Sequence, residues 1–330
     1  MVVFLSWHNS LPGFISEVYN RLTLPKSFIS TDFVKNRGLH NQRLMDLPTS
    51  YKVSKDNDVI TLLKNIKATH VVVWNGDFND NKRGYQVKLI EAIKNNMPNL
   101  KWVYCEHGWM PQNVTFSMDR LGSNGSSSAT LRNDIPKKPS LQPVYNKRAH
   151  YEAASKPVSE RDYLYVPLQL NTDTQITKYS PLFKDMINLI SHVSQLFPNE
   201  NIIVKTHPKD TPQNLLRYRK LCNSLPNVKM VTDGNNIGWC RYCKGVIAIN
   251  STVINEALIF NKPIMTYGIN IFSNKGITYE IDDLDNIEKQ KNFLNWKADE
   301  NRIEEYICWL LSLQFDRNNP NMKKVLEYFK

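Results

Sequence analysis

Short apolar runs that break abruptly into polar turns alternate along this chain with longer segments whose apolar residues return every three or four positions. The first pattern is that of buried strands, the second that of helices packed over them. In the first half, Val2 to Trp7, His70 to Trp74 and Lys101 to Cys105 read as strands, with helices over Phe14 to Leu22, Asp58 to Ala68 and Tyr85 to Asn96. The alternation resumes with strands at Tyr163 to Pro167, Ile202 to Val204, Val228 to Val231, Gly245 to Ile249 and Pro263 to Thr266. Helices fall between these, over Pro181 to Phe197, Leu215 to Leu225 and Val253 to Phe260. Two more, near Ile303 to Leu313 and Met322 to Phe329, close the chain. Strand, polar turn and helix in succession specify an α/β fold with parallel sheets.

From Gln112 to about Ser159 the periodicity fails. Asn, Ser, Gly, Pro and Lys dominate there, so a long loop leading into an interdomain connection is expected, with Gly122 to Ser128 its most flexible part. The expected domains are residues 1–158 and 159–330, both Rossmann-like, with the last helix returning to the first domain.

At 330 residues and 41% apolar content the chain is long enough for two such domains. The opening Val2-Val3-Phe4-Leu5 is too short for a signal peptide, and no apolar run reaches the length of a membrane span. Five cysteines, an odd number scattered through core elements, suit a reducing compartment, so a cytoplasmic protein is expected. Cys240 and Cys243 lack a matching second pair and read as buried helix thiols rather than a zinc site. Lys and Arg outnumber Asp and Glu by 42 to 31, a net charge of +11. That excess suits a polyanionic partner such as a glycan or DNA, and is compatible with peripheral contact to an anionic membrane leaflet.

The candidate chemistry lies where strands end. Tyr163 to Pro167 empties into Gln169, Asn171, Thr172 and Asp173; Lys101 to Cys105 into Glu106-His107-Gly108; Ile202 to Val204 into Lys205-Thr206-His207-Pro208; and Gly245 to Ile249 into Asn250-Ser251-Thr252. In open α/β sheets ligands bind at the carboxyl ends of the strands. Ser251 and Thr252 at a helix start make a phosphate seat, Glu256 one turn later is within reach of ribose hydroxyls, and Lys205 and His207 suit a phosphate. The competing roles are helix caps for Ser251 and Asp173 and a surface acid for Glu256. Asp283-x-Asp285 reads as a solvated turn, not a metal pair.

Trp74-Asn75-Gly76, Glu106-x-Gly108 followed by Pro111, Gln169-x-x-x-Asp173, Lys205-x-His207-Pro208 and Ser251-Thr252-x-x-x-Glu256 come in the order seen in capsule polysaccharide synthesis proteins, which include the β-Kdo glycosyltransferases. The chain resembles that family over roughly residues 70 to 268, and the first 60 and the last 50 residues add little to the likeness. The resemblance implies a GT-B-like fold, two Rossmann-like lobes with parallel sheets facing a central cleft. It also implies a retaining glycosyltransferase with Asp173 as nucleophile, Glu106 as acid/base and His207 beside the donor phosphate. The nucleotide-sugar donor, suggested by the family to be CMP-Kdo, would be held by Gln169, Lys205, Asn250, Ser251, Thr252 and Glu256. The acceptor would meet His107, Trp74, Lys137, Lys138, Lys147 and Arg148. No metal and no other cofactor is required in this scheme. Two alternatives stand beside a capsule or lipopolysaccharide glycan acceptor: a hydroxymethylated base in DNA, gripped by the basic loop, and a nucleotide-sugar binding protein without turnover.

Overall fold

A computed structural model describes residues 1–6, 13–31, 50–53, 56–76, 80–137 and 139–330. Trp7, the expected end of the first strand, Asp77 and Lys138 lie outside them. The chain divides into two compact units, Met1–Ala129 with Leu313–Lys330, and Thr130–Ser312.

The first unit is built on strands β1 (Val2–Ser6), β2 (Lys26–Thr31), β3 (Ser50–Val53), β4 (His70–Trp74), β5 (Lys101–His107) and β6 (Thr115–Asp119). A short strand from the end of the chain, Gln314–Asp316, completes a seven-stranded sheet. Strands β1 to β5 pair in parallel, while β6 and the last strand run antiparallel at one edge. Alternation along β1 sends Val2 and Phe4 to one face and Val3 and Leu5 to the other. Helix α1 (Gly13–Arg21) covers the first face, and α2 (Asp56–Asn65) and α3 (Asp80–Asn96) the second. Strand β2 was not expected, because Phe28 and Ile29 are its only large apolar residues. Ser27, Ser30 and Thr31 are nonetheless buried with them.

The stretch expected to be a loop is instead ordered structure. After β6 come a 3-10 turn (Asn124–Ser126) and helix α4 (Ser128–Leu131), with helix α5 (Gln142–Ala154) further on. The Asp119 carboxylate gathers the turn by accepting from the amides of Leu121 (2.8 Å), Gly122 (3.3 Å) and Ser128 (2.9 Å). Ser123 and Ser127 are buried within it. Small polar residues here reflect tight packing, not freedom.

The second unit carries strands β7 (Tyr163–Pro167), β8 (Asn201–Lys205), β9 (Val228–Val231), β10 (Gly245–Ala248), β11 (Ile264–Thr266) and β12 (Tyr279–Glu280), all parallel, in the order β12-β11-β10-β7-β8-β9. Among its helices are α6 (Thr174–Thr177), α7 (Met186–Leu196), α8 (Pro212–Ser224), α9 (Asn236–Tyr242), α10 (Val253–Leu258), α11 (Ile287–Lys291) and α12 (Glu300–Leu313). The core is the apolar face of β7, β8 and β10 against α7, with Leu189, Ile190 and Val193 fully enclosed. The unit begins at Thr130, ahead of residue 159, because α5 is fastened here. Arg148 Nε donates to the Ile259 carbonyl (2.9 Å), and Asn235 Nδ2 and Arg241 Nη1 donate to the carbonyls of Ala154 (3.1 Å) and Glu152 (2.9 Å). The last segment, comprising β13 (Gln314–Asp316) and helix α13 (Met322–Leu326), belongs to the first unit.

Candidate active site

In the second unit the chain leaves β7 toward β8 and β9, then returns to the other side of β7 for β10, β11 and β12. The switch point therefore lies between β7 and β10, where doubly wound sheets open a crevice for ligands. Two amides close its floor. Gln169 Nε2 donates to Asn250 Oδ1 (2.9 Å), and the Asn250 amide donates back to Gln169 Oε1 (3.2 Å). Asn250 Nδ2 continues to the carbonyls of Gln175 (2.8 Å) and Tyr179 (3.2 Å), while Asn270 Nδ2 holds the Asn250 carbonyl (2.7 Å). With 8% and 0% of their surfaces exposed, Gln169 and Asn250 spend their polar atoms on the protein. Both, expected at the donor, form a clasp that closes the floor of the crevice.

Above the clasp, Asp173 is exposed and caps α6, Oδ1 accepting from the Gln175 amide (2.9 Å). His207, half-buried after β8, accepts from the Lys209 amide at Nδ1 (3.1 Å), which places the proton of the neutral ring on Nε2. Burial lowers its pKa and outweighs the opposing pull of Asp173 and Asp210. Lys205, at the last position of β8, is buried, and desolvation lowers its pKa against the opposing charges of Asp233 and Glu256. Glu256 has an enclosed Oε2 without a hydrogen-bond partner among the described residues, and burial pushes its carboxyl up to about 7, with Lys205 opposing. Ser251 Oγ accepts from the Val253 amide (3.3 Å), and Thr252 opens the short helix α10. Asp173, Lys205, His207 and Glu256 thus arise from one edge of one sheet, around its switch point.

In the first unit, Glu106 sits near the end of β5 with Oε1 accepting from the His107 amide (2.8 Å). Gly108 follows because its backbone lies against β6: its amide reaches the Thr115 carbonyl (2.9 Å), and a Cβ would lie 2.1 Å from Thr115 Oγ1. His107 packs edge-on to Trp74, 4.7 Å between ring centroids, and also against Phe14. Arg317 donates to His107 Nδ1 and lies 4.9 Å over the Phe14 ring. Trp74 and His107, expected at the acceptor, therefore belong to a packed aromatic cluster. A small pocket beside it is lined by Glu106, Trp109, Asp119, Ser123 and Tyr328. Sequence reasoning missed Arg317, Gln314 and Asp119, which stand in short aperiodic stretches with no motif around them.

Of the four cations assigned to the acceptor, two are turned inward. Lys137 is exposed, but Lys147 is half-buried with Nζ 5.9 Å from the Tyr151 ring centre, and burial lowers its pKa. Arg148 pairs with Glu304 (3.1 Å) as well as the Ile259 carbonyl. Lys138 lies outside the described residues. Packing of α5 within the second unit turns two of these charges inward.

All five cysteines are buried and free, and burial raises the thiol pKa of Cys240 well above normal and of Cys243 to about 12. Among the described residues no three His, Cys, Asp or Glu side chains gather as a metal site would require. The Asp285 amide donates to Asp283 Oδ1 (2.9 Å), a local turn. No helix of the described residues is long and apolar enough to cross a membrane.

Residues 136–302 match the family model for capsule polysaccharide biosynthesis proteins. Protein FixF of Sinorhizobium fredii (strain NBRC 101917 / NGR234) is 24% identical over 259 residues, 73% of this chain and 58% of FixF. The capsule polysaccharide export protein KpsS of Escherichia coli is 33% identical over 135 residues, 37% of this chain and 34% of KpsS. The chain thus spans little more than half of one curated relative and about a third of the other. Among solved structures, the KpsC β-Kdo 2,7 transferase of Thermosulfurimonas dismutans superposes with a TM-score of 0.62 at 16% identity, over 99% of this chain and 98% of that one. The β-Kdo 2,4 transferase of the same KpsC gives 0.53 at 11% identity, over 86% and 91%. At such identities the likeness shows the fold: two α/β lobes built on parallel sheets.

Proposed function

Because the chain belongs to the capsule polysaccharide biosynthesis family, we propose that it is a retaining glycosyltransferase. It moves a sugar from a nucleotide donor, CMP-Kdo, to a hydroxyl of a capsule or lipopolysaccharide glycan. The observation that carries this reading is the grouping of Asp173, Lys205, His207 and Glu256 at the carboxyl edge of β7, β8 and β10, around the switch point. The KpsC modules that share the fold are named as β-Kdo transferases, which supports Kdo as the sugar.

Asp173 attacks the anomeric carbon while the nucleotide phosphate departs, giving a glycosyl-enzyme. His207 donates from Nε2 to that phosphate, and Lys205 answers its charge from a desolvated position where electrostatics act strongly. Glu256, with its buried Oε2 lacking a partner, gains one from a ribose hydroxyl. In the second step Glu106 takes the proton of the acceptor hydroxyl, which attacks the same carbon and displaces the Asp173 carboxylate, and the second inversion restores the configuration. Ser251, engaged with the Val253 amide, shapes the turn, and Thr252, the more exposed of the two hydroxyls, serves the donor phosphate. The inward use of Lys147 and Arg148 takes two cations from the argument for a DNA acceptor.

Incubation with CMP-Kdo and a capsule glycan tests the reading. Released CMP matched by a β-linked Kdo on the acceptor is the expected result. Tight donor binding without CMP release would leave a nucleotide-sugar binding protein.

A further inference from the structure

The strand that returns from the end of the chain does more than complete a sheet edge. Gln314, the first residue of β13, accepts at Oε1 from the amides of Trp109 and Met110 (both 3.1 Å) and from Thr115 Oγ1 (3.3 Å), and donates from Nε2 to the Met110 carbonyl (2.7 Å). One side chain therefore holds both sides of the turn that follows Glu106-His107-Gly108. Just beyond β13, Arg317 donates from Nε to the Thr115 carbonyl (2.8 Å), from Nη2 to the Gln112 carbonyl (2.7 Å), and to His107 Nδ1. Its own amide reaches the Val114 carbonyl (3.0 Å). His107 in turn supplies the amide that holds Glu106 Oε1. A half-buried guanidinium aimed at a ring nitrogen and two carbonyls gives up part of its hydration, which is costly unless its charge is used nearby.

We propose that Gln314 and Arg317 are positioning residues for Glu106: Gln314 fixes the turn that aims the carboxylate, and Arg317 supplies the positive charge that keeps it ionised. The inference rests on the reading of Glu106 as the acceptor base. Glu106 is charge-coupled to Arg317, opposing the effect of burial on the guanidinium. The other titratable and charged groups nearby are His107, which accepts a hydrogen bond from Arg317, the buried Cys105 thiol on β5, Asp119 on β6, and Arg120 and Tyr328 beyond it. Asp119 is spent on backbone amides, and Arg120 on the Glu327 carbonyl and the Tyr328 ring. A base that is a carboxylate in the resting enzyme needs no prior deprotonation before it takes the acceptor proton.

The test is the pH dependence of acceptor kcat/KM in wild type, Arg317→Gln, Arg317→Lys, Gln314→Leu and Glu106→Gln, with thermal melts alongside. Loss of the cation favours protonated Glu106, so the acid limb moves to higher pH in Arg317→Gln and returns toward wild type in Arg317→Lys. Gln314→Leu lowers acceptor kcat about ten- to hundredfold, the cost of a misaimed group, with donor KM unchanged. An acid limb that stays in place in both Arg317 variants, with equal rate losses, would reduce Arg317 to a structural prop and overturn the proposal. If Arg317→Gln does not fold, a limb in Arg317→Lys that departs from wild type would overturn it equally, because lysine retains the charge. Near-wild-type transfer by Glu106→Gln would instead refute the reading of Glu106, and the proposal with it.

Discussion

Replacing Asn250 by leucine, a side chain of similar size, removes the clasp under the switch point and leaves two partners stranded. These are Gln169 Nε2 and the Gln175 carbonyl, around a side chain that is 0% exposed, whereas the Tyr179 carbonyl keeps the Ile269 amide (2.9 Å). Each buried group left unpaired costs about 1–3 kcal/mol. The two are neighbours that relax together, so the sum is discounted, and a loss of about 2–4 kcal/mol is expected. That is a large share of the roughly 5–15 kcal/mol that holds a domain folded. Urea unfolding of wild type and variant measures it, with the midpoint lowered and the slope unchanged. The double variant Gln169→Leu, Asn250→Leu should lose less than the sum of the two singles, because both ends of the Gln169 Nε2 to Asn250 Oδ1 bond are then gone. A cost for Asn250→Leu below about 1 kcal/mol would mean that the clasp does not hold the edge, and the account of Gln169 and Asn250 as positioning residues would fail.

Three further outcomes follow from the same edge. The carboxyl of Glu256 is raised from 4.5 to about 7, so between those values the folded state keeps a proton that the unfolded state has lost, and stability falls as pH rises through that window. Glu256→Gln should remove this slope and become the more stable protein above pH 7, by on the order of 2–3 kcal/mol, in denaturant titrations across pH 4–8. His207→Ala should raise donor KM or lower kcat by a factor of ten or more with acceptor KM unchanged, and an effect confined to the acceptor would remove His207 from the donor phosphate. Chelation with EDTA should leave transfer unaltered, since the cationic and hydrogen-bonding groups named above are proposed to take the phosphate charge. Loss of activity on chelation, restored by a divalent ion, would reject that scheme.

What could be read in the sequence was governed by how locally each feature is encoded. Strands β4, β5, β7 and β10 were legible because apolar runs end in polar turns, and the candidate residues stand at those ends. Strand β2 was hidden by its buried Ser27, Ser30 and Thr31, whose hydroxyls look like a turn in a one-dimensional pattern. Residues 115–131 looked like a flexible loop because small polar residues serve equally for tight packing, and only the fold shows Asp119 gathering three amides there. The partnership of Gln169 with Asn250 spans 81 positions, and that of Gln314 with Trp109 spans 205, so no local signal announces either. For the same reason Arg148 read as a free cation, although Glu304 neutralises it from a distant helix.

The central claim, transfer through a sugar bound covalently to Asp173, is tested most directly by the intact mass of Glu106→Gln after brief exposure to CMP-Kdo. With the acceptor base removed and the nucleophile intact, the account predicts a protein heavier by one Kdo residue, with the added mass mapping to the peptide that contains Asp173. An unmodified protein under conditions where wild type transfers Kdo, or a modification mapping to another residue, would contradict it.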